Sequence, residues 1–404
     1  MQKTLPKGWK WVKLGEVCEF VRGVTFDKSE VSKEVRNNYL PVLRAGNIKS
    51  GLDTVNDLLW VTEKQISDKQ KLQVGDIVVC MSSGSSDVVG KTAQLKYPFI
   101  GSFGAFCGVI RAMNKEHIDY VAYWLGSSAY YKWRDGQARG VNIQNLKFSN
   151  FETIQIPLPP LPTQHKIVEI LEEADNLRKL RQQADEKMKD LIPSLFVQMF
   201  GDPAINSKKW EIKRLEEVCT KITDGSHRTP KLLDKGYPFL TVTNLQNGSF
   251  DFSDVKFISV MDYKDLIKND CKPLKGDVLF SKDGTIGKVV EIKQEKEFVI
   301  LSSLAILRPQ PKIIHSTYLA KIALTDFFIN QAKEKQSGSA LRRIILRSLK
   351  SVKIPLPPLP LQQEFAKLVE DIEAEKARQA ESKKKLDELF NSLMQRAFTG
   401  ELVA

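Results

Sequence analysis

The heptapeptide Ile156-Pro157-Leu158-Pro159-Pro160-Leu161-Pro162 occurs a second time, without a change, at 354–360. Two identical segments this far apart in a chain of 404 residues indicate an internal duplication. A period near 200 residues is far longer than the repeat of a solenoid. The repeated unit is therefore predicted to be a whole globular domain together with the helical segment behind it.

Further matches carry the duplication back to the start of each half. Leu14-Gly15-Glu16-Val17-Cys18 corresponds to Leu215-Glu216-Glu217-Val218-Cys219, and Gly75-Asp76-Ile77-Val78 corresponds to Gly276-Asp277-Val278-Leu279. The two halves differ most between these anchors. We therefore expect two similar scaffolds that carry different surfaces.

Within each half, the globular part is predicted to be mixed α/β (α+β). Short apolar runs such as Tyr39–Leu43, Ile77–Met81 and Val109–Arg111 are bounded by Gly, Pro, Asn and Ser and predict strands. Helical segments are predicted over 119–133 in the first half and 316–335 in the second.

The proline-rich heptapeptide predicts an extended, rigid elbow. Proline lacks an N–H and restricts the residue before it, so we expect neither a helix nor ladder pairing in this run. A ligand for an SH3-type domain is the alternative interpretation of the same residues.

Apolar residues behind each elbow alternate three and four apart, which is the spacing of a coiled-coil seam. In the first half the seam runs through Ile167, Ile170, Ala174, Leu177, Ala184, Met188, Leu191 and Leu195, and in the second through Phe365, Leu368, Ile372, Leu386, Leu389 and Leu393. Connectivity requires the two helices to run antiparallel if they pack along their length. Each would be a rod of roughly 50 Å, at ~1.5 Å per residue. The alternative is two independent amphipathic helices, each lying on its own domain.

The predicted organisation has four segments and an internal pseudo-two-fold symmetry. They are a first globular domain at 1–155, an elbow and long helix at 156–202, a second globular domain at 203–353, and an elbow and long helix at 354–404.

The positive charge belongs to the globular domains. The chain carries a formal net charge of +12, of which the first domain holds +6 and the second +10, whereas each helical segment holds −2. Two basic domains joined by helices suit a protein that binds a polyanion at two separate places. Surface lysines that serve solubility are the competing explanation.

Composition excludes several classes of protein. The hydrophobic content of 42% argues against a disordered chain, and no uncharged stretch of ~18 residues predicts a membrane span. The N-terminal residues lack an apolar signal core, so a cytoplasmic protein is expected. The five scattered cysteines contain no CxxC pair, which predicts buried, reduced thiols and no zinc site.

One near match to a catalytic motif occurs at Gly84-Ser85-Ser86-Asp87-Val88-Val89-Gly90-Lys91-Thr92. It resembles the phosphate loop GxxxxGK[ST] but has five residues between the glycines instead of four. The corresponding Gly284-Thr285-Ile286-Gly287-Lys288 has no room for the motif. We therefore expect a turn that suits contact with nucleic acid, and no catalytic or metal site in this chain.

These features together resemble the DNA-specificity (S) subunit of Type I restriction-modification enzymes over essentially the whole chain. The resemblance lies in Trp9 and Trp210 with the anchors that follow them, in the Gly-Asp anchors, in both elbows, and in Phe398-Thr399-Gly400-Glu401-Leu402. It implies that each globular domain is a target-recognition domain for one part of a split DNA sequence. It also implies that the antiparallel helices set the gap and bind two methyltransferase (M) subunits, and that restriction (R) subunits complete the assembly. S-adenosylmethionine, ATP and Mg are expected in those partners, and a non-catalytic role is expected for this chain.

Two recognition domains roughly 50 Å apart would span ~15 base pairs of duplex DNA at ~3.4 Å each. Because the halves differ between their anchors, two different DNA words separated by bases that are not read are expected. Candidate contact residues are polar or basic and lie in predicted loops. They are Arg44, Asn47, Ser82, Ser83, Ser85, Lys91, Arg139, Asn142 and Gln144 in the first half, and Thr243, Asn244, Lys282, Thr285, Lys288, Arg342 and Arg343 in the second.

Two other functions compete with this hypothesis. One is a stand-alone ATPase or nuclease that uses the loop at Gly84. The other is a coiled-coil scaffold whose basic domains bind acidic proteins or RNA.

Overall fold

A computed structural model describes residues 5–85, 87–137, 145–246, 248–333 and 343–403, with the side chain of Lys28 excepted. It divides into two compact units, one made of 1–182 with 381–404 and the other of 183–380. Each unit therefore contains one globular domain, the first part of the long helix that follows it, and the last part of the other long helix.

In the described part of the first unit, short strands alternate with short helices and are followed by a long helix that continues beyond the unit. The strands are β1 (Lys10–Lys13), β2 (Cys18–Arg22), β3 (Tyr39–Leu43), β4 (Leu59–Thr62), β5 (Ile77–Cys80), β6 (Thr92–Gln94), β7 (Ser102–Phe103), β8 (Cys107–Ala112) and β9 (Gln155–Leu158). The helices are α1 (Leu14–Val17), α2 (Ile118–Trp124), α3 (Ser128–Gly136), α4 (Phe148–Glu152) and α5 (Leu161–Lys189).

The rest of the chain repeats this order of elements with small additions. Its strands are β10 (Glu211–Arg214), β11 (Cys219–Asp224), β12 (Tyr237–Leu240), β13 (Leu245–Gln246), β14 (Ser249–Phe250), β15 (Lys256–Ile258), β16 (Val278–Ser281), β17 (Val289–Glu291), β18 (Val299–Ile300), β19 (Leu304–Pro309) and β20 (Lys353–Leu356). Its helices are α6 (Leu191–Phe200), α7 (Leu215–Val218), α8 (Val260–Lys268), α9 (Ser316–Ala323), α10 (Asp326–Lys333), α11 (Leu346–Lys350) and α12 (Leu359–Ala397).

Sheet topology confirms the duplicated mixed α/β fold. The first unit has a four-stranded antiparallel sheet in the order β2-β8-β5-β6 and a three-stranded sheet in the order β4-β3-β7. The second unit has the same two sheets, β11-β19-β16-β17 and β15-β12-β18. In each three-stranded sheet one pair is parallel, β3 with β7 and β12 with β18.

Each helical segment predicted after the strands is in fact two helices. The break after α2 includes Gly126, and the side chain of Ser127 accepts a hydrogen bond from the backbone N–H of Tyr130 to cap α3. In the second unit, Thr325 Oγ1 likewise accepts a hydrogen bond from Phe328 N at 3.3 Å at the start of α10. A hydroxyl that satisfies a free N–H ends one helix and begins the next.

The prediction that the proline-rich segment excludes strands and helices was wrong. Ile156, Pro157 and Leu158 belong to β9, which pairs with β1 so that Pro157 lies opposite Trp11. An antiparallel ladder leaves alternate N–H groups unbonded, so proline is tolerated on an edge strand. Pro162 lies in the first turn of α5, where proline also removes no helical hydrogen bond.

The elbows are held by the same hydrogen bonds in both units. Tyr120 and Tyr318 donate their hydroxyl protons to the carbonyls of Pro157 and Pro355, at 2.5 and 2.6 Å. The amides of Gln164 and Gln362 donate to the carbonyls of Pro159 and Pro357, both at 2.7 Å. These buried side chains bind each long helix to the domain before it.

The duplicated Gly-Asp anchors form a buried ion pair in each four-stranded sheet. The guanidinium of Arg111 makes two hydrogen bonds of 2.7 Å to the carboxylate of Asp76, and Arg308 makes two of 2.8 Å to Asp277. Both aspartates are almost fully buried. A bidentate pair orients both side chains, which explains why the Asp recurs in both halves.

The long helices are antiparallel within the first unit. Ile167 and Leu171 of α5 lie in the same core as Met394 and Ala397 of α12. Arg178, further along α5, binds Asp387, which lies earlier in α12, at 2.7 Å, and its guanidinium lies over the ring of Phe390. The two helices therefore run in opposite directions within this unit.

The C-terminal end of each long helical segment completes the core of the unit that contains it. This end is α6 in the first segment, directly after α5, and the last turns of α12 in the second. In the first unit the ring of Phe398, which follows α12, lies 5.4 Å from that of Tyr120. In the second unit Phe200, at the end of α6, lies 4.8 Å from Tyr318 and 5.0 Å from Phe365. The same elbow tyrosine is covered in both units, by matching phenylalanines.

The predicted phase of the seam was wrong by one position at several places. Leu171 is buried in place of Ile170, Val369 in place of Leu368, and Met394 in place of Leu393. Each of these positions is next to another apolar residue, so spacing alone does not decide which of the two faces inward. The predicted seam residues Leu177 and Leu389 are 46% and 48% exposed.

The described part of the chain contains no helix that is long and apolar enough to cross a membrane. All five cysteines are free and buried. Burial raises the pKa of the Cys18 and Cys219 thiols to about 12, so both are uncharged at neutral pH.

Replacing Leu171 by Ala is expected to lower the free energy of unfolding by about 2–5 kcal/mol, because it leaves a cavity in the core. Leu177→Ala is the matched control, with the same change of side chain on the same helix, and we expect a loss below about 0.5 kcal/mol. Urea unfolding of the purified variants measures both. Equal losses for the two variants would contradict this difference in burial and support the seam predicted from spacing, which runs through Leu177.

Candidate nucleic-acid interface

One edge of each four-stranded sheet gathers several of the predicted contact residues. In the first unit β2 and β5 end where β8 begins, since Arg22 lies opposite Gly108 and Cys80 opposite Cys107. In the second unit Asp224 and Ser281 hold the corresponding positions, opposite Ala305 and Leu304. Loops from distant parts of the sequence therefore meet at this edge, which we call the loop edge.

The serines of the first unit lie at the loop edge. Ser82 pairs with Asn145 through an isolated antiparallel bridge, and Leu146 N donates to Met81 O at 2.7 Å. Ser82 and Ser83 are half-buried and Ser85 is exposed, while Lys91 is half-buried further along the same loop. The loop after β5 is thus joined to the segment before α4.

Several backbone amides of the described part of this loop are bonded within the protein. The N–H groups of Val88, Gly90 and Lys91 donate to the carbonyls of Ser85, Cys80 and Val88. The carbonyl of Gly90 accepts the hydroxyl proton of buried Tyr130 at 2.6 Å. Because these amides are used within the fold, they are not available to a nucleotide phosphate.

Two predicted contact residues are instead part of the scaffold. Asn47 is buried, accepts a hydrogen bond from Arg44 N and donates to the carbonyls of Asp53 and Asn56. Asn244 is also buried; it accepts from Thr241 N and donates to Asp251 O. An amide with both ends engaged holds its loop and has no group left for a base edge.

Two predicted lysines of the second unit are also engaged within the protein. Lys282 is 2% exposed and its Nζ lies 2.9 Å from Asp224 Oδ2. Lys288 donates from Nζ to the carbonyls of Leu245 at 2.6 Å and Val242 at 3.3 Å. Lys288 therefore ties the loop after β16 to the loop after β12.

The remaining described candidates are at the surface. Arg44, Thr243 and Thr285 are exposed, and Arg343 is half-buried with its Nε 3.7 Å from Asp283 Oδ2. Ile344 N donates to Lys282 O at 2.8 Å, which places Arg343 beside the loop that contains Thr285. Four further candidates lie outside the described residues, namely Arg139, Asn142, Gln144 and Arg342.

The second unit contains a basic cleft of 830 Å³ that was not predicted from the sequence. It is lined by Arg214, Arg347, Lys350 and Lys353, with Glu216 as its one acidic residue. In the described part of the chain, the side chains of Arg347, Lys350 and Lys353 form no ion pair, and all three residues are exposed. Their spacing along α11 and β20 gave a signal, since they fall within seven residues.

The first unit does not share this cleft's charge. By the matching positions of α4 with α11 and of β9 with β20, Arg347 corresponds to Ser149, Lys350 to Glu152 and Lys353 to Gln155. The basic cleft is therefore a property of the second unit and not of the scaffold.

A second missed group lies in the loop after β11. His227 and Arg228 are exposed, and His227 Nε2 lies 3.2 Å from Asp224 Oδ1. These residues precede Pro230 and are not among the predicted contact residues. A polar and basic Ser-His-Arg-Thr run directly after a strand was the available signal.

The model of a known family matches both halves of the chain, at residues 6–189 and 207–389. That family is described as the type I restriction modification DNA specificity domain. The chain belongs to this family. It is thus a type I specificity subunit built from two specificity domains.

Two curated specificity subunits align with nearly all of the chain. The type I restriction enzyme EcoKI specificity subunit of Escherichia coli (strain K12) is 29% identical over 437 residues, covering 99% of this chain and 90% of that subunit. The StySPI specificity subunit of Salmonella potsdam is 27% identical over 426 residues, with the same two coverages.

Solved structures share the fold. One chain, from a structure described as the structural basis of complex assembly and conformational transition of the type I R-M system, has a TM-score of 0.64 at 22% identity, covering 99% of this chain and 100% of its own. The type I S subunit from M. genitalium has a TM-score of 0.57 at 15% identity, covering 98% of both chains. At these identities the likeness supports the specificity-subunit fold alone.

Proposed function

We propose that this specificity subunit recognises a bipartite, asymmetric DNA sequence, with each specificity domain reading one word through its loop edge. The observation that carries the proposal is that equivalent edges of one duplicated scaffold present different side chains. The first unit has Ser82, Ser83 and Ser85 there, whereas the second has Thr285, Arg343 and the His227 loop. Different side chains on the same scaffold favour different words.

The polar side chains of the loop edge have the chemistry needed to contact bases. Hydroxyl groups bind several base edges, and arginine binds guanine in two-hydrogen-bond geometry. Ser82, Ser83, Ser85, Lys91, Thr285 and Arg343 remain candidates on this basis. Arg44 and Thr243 remain candidates as exposed residues in the loops after β3 and β12, and Arg139, Asn142, Gln144 and Arg342 remain candidates by sequence alone. Lys282, Lys288, Asn47 and Asn244 are proposed to support the loops and not to touch DNA.

The basic cleft is proposed to bind DNA phosphates. Arg347, Lys350 and Lys353 provide three exposed cations without an ion pair among the described residues. Phosphate contacts position a protein on the duplex and make affinity depend on salt. Because the first unit lacks these cations, we expect the second unit to hold its DNA word with the greater salt dependence.

The chain is proposed to work as the non-catalytic part of a larger cytoplasmic enzyme. By analogy with its family, two methyltransferase (M) subunits would bind the paired helices, and restriction (R) subunits would join them. S-adenosylmethionine, ATP and Mg would then be bound by those partners.

Exchange of the first domain tests the bipartite proposal. The chain is co-expressed with its methyltransferase partner, and genomic methylation is mapped for the wild type and for a chimaera that carries a different specificity domain at 1–155. We expect one word of the modified sequence to change while the other word and the gap stay the same. A chimaera that leaves both words unchanged would contradict the proposal.

The cleft is tested by reversing two of its charges with Arg347→Glu and Lys350→Glu. DNA affinity should fall at every sequence alike, and the slope of log K against log[salt] should become shallower by about 2, at ~0.9 per phosphate contact. The matched control is Lys264→Glu with Lys268→Glu, two exposed lysines on α8 of the same unit. Equal effects of the two double variants would attribute the change to net charge and remove the cleft from the interface.

A further inference from the structure

A buried ion pair lies beneath the loop edge of the second unit. The ammonium group of Lys282 is 2.9 Å from Asp224 Oδ2, and the two residues are only 2% and 8% exposed. The other carboxylate oxygen, Oδ1, lies 3.2 Å from Nε2 of His227, whose side chain is 66% exposed. A buried lysine thus fixes a carboxylate that in turn holds an exposed imidazole.

The loop that carries His227 is fixed by its backbone. A Cβ at Gly225 would lie 2.1 Å from the carbonyl oxygen of Ile300, so this close approach requires glycine. Ser226 N donates to Ile300 O, and Ser226 O accepts from Ser302 N at 2.9 Å. The hydroxyl of Ser226 also accepts from Arg228 N at 3.2 Å. Both sides of His227 are therefore anchored.

The first unit shows that the scaffold does not need this ion pair. Gly23 and Gly225 are equivalent, because Val24 pairs with Gly104 in the same parallel bridge that Ser226 makes with Leu301. A Cβ at Gly23 would also lie 2.1 Å from a backbone carbonyl oxygen, here that of Gly104. The residue before each glycine is the last of its strand, Arg22 in the first unit and Asp224 in the second. Met81, directly after β5, corresponds to Lys282, directly after β16. The fold therefore forms equally with a buried methionine and no carboxylate.

Burial of an ion pair adds little to stability, because the desolvation of both charges offsets their attraction. A buried pair present in one copy and absent from the other calls for a role specific to that copy. Because the loop edge differs between the units, we infer that the pair of Asp224 and Lys282 orients the side chain of His227.

We propose that His227 is a specificity-determining residue that contacts a base edge in the DNA word read by the second unit. Asp224 and Lys282 are its positioning residues. With Nε2–H donating to Asp224, Nδ1 is the ring nitrogen left for DNA. A nitrogen acceptor there complements the exocyclic amino group that adenine and cytosine present in the major groove. The inference rests on the proposed bipartite recognition and names one residue that carries it out.

The test uses the complex of this chain with its methyltransferase partner, with His227→Ala and His227→Gln compared by genomic methylation mapping. We expect discrimination at one base position of one word to fall by about 10-fold or more. The other word and the gap should stay as in the wild type. Met261→Ala, which truncates an exposed side chain on α8, is the control and should leave the pattern unchanged.

Retention of both words at full discrimination in the His227 variants would overturn the inference and leave the proposed function intact. A wild-type complex that modifies no bipartite sequence would overturn the proposed function itself. The two failures are therefore distinguished by the wild-type map.

The positioning role is tested with the double variant Asp224→Ala and Lys282→Met, which removes both charges and the acceptor for His227 Nε2–H and gives position 282 the residue of the first unit. We expect the melting temperature to stay close to that of the wild type, while discrimination falls at the same base position as in His227→Ala. Normal discrimination in a folded double variant would contradict the positioning role. Loss of both words together would also contradict it.

Discussion

The core of each unit depends on the contact between an elbow tyrosine and the end of a long helix. Tyr120 bonds the carbonyl of Pro157 and is covered by Phe398, while Tyr318 bonds that of Pro355 and is covered by Phe200. Each tyrosine lies in a globular domain, and each phenylalanine arrives on the helix that left the other domain. Neither core is complete without residues from both halves of the sequence, so the antiparallel arrangement of the helices follows from how the cores are closed.

This arrangement separates what must stay constant from what can change. The Asp–Arg pairs, the elbow tyrosines and the loop asparagines recur in both units with nearly the same bond lengths. The loop edges and the cleft beside α11 differ in charge and in side-chain type. A scaffold whose polar groups are satisfied internally tolerates new loops, because the changes do not leave buried groups unpaired.

Much of the fold could be predicted because the sequence contains it twice. Identical elbows and matching Gly-Asp anchors indicated the duplication and the two domains, and connectivity required antiparallel helices if they pack along their length. The phase of the helix seam could not be decided where two apolar residues are adjacent, as at Ile170 and Leu171. Burial there depends on the domain surface beneath the helix, and periodicity carries no information about that surface. The strand character of Ile156–Leu158 was missed because an edge strand accommodates proline only when its partner, here β1, is known.

The contact surface was less predictable than the fold. A loop position and a polar side chain suggested Asn47, Asn244, Lys282 and Lys288, yet all four are engaged inside the protein. Long-range partners decide whether such a side chain is free, and those partners are distant in sequence. His227 and the cleft residues each carried a weak sequence signal, but the pairing of His227 with Asp224 and the meeting of Arg214 with α11 and β20 become visible only in the structure.

The central proposal is that the chain reads two different DNA words and that the length of the paired helices sets the gap between them. It is tested most directly by inserting one heptad into both helices, after Gln182 and after Ala380, and mapping the methylated sequence. Seven residues at ~1.5 Å each add ~10 Å, or ~3 base pairs at ~3.4 Å each. We expect a gap about three base pairs longer between two unchanged words. An unchanged gap, in a variant that still methylates DNA, would contradict it.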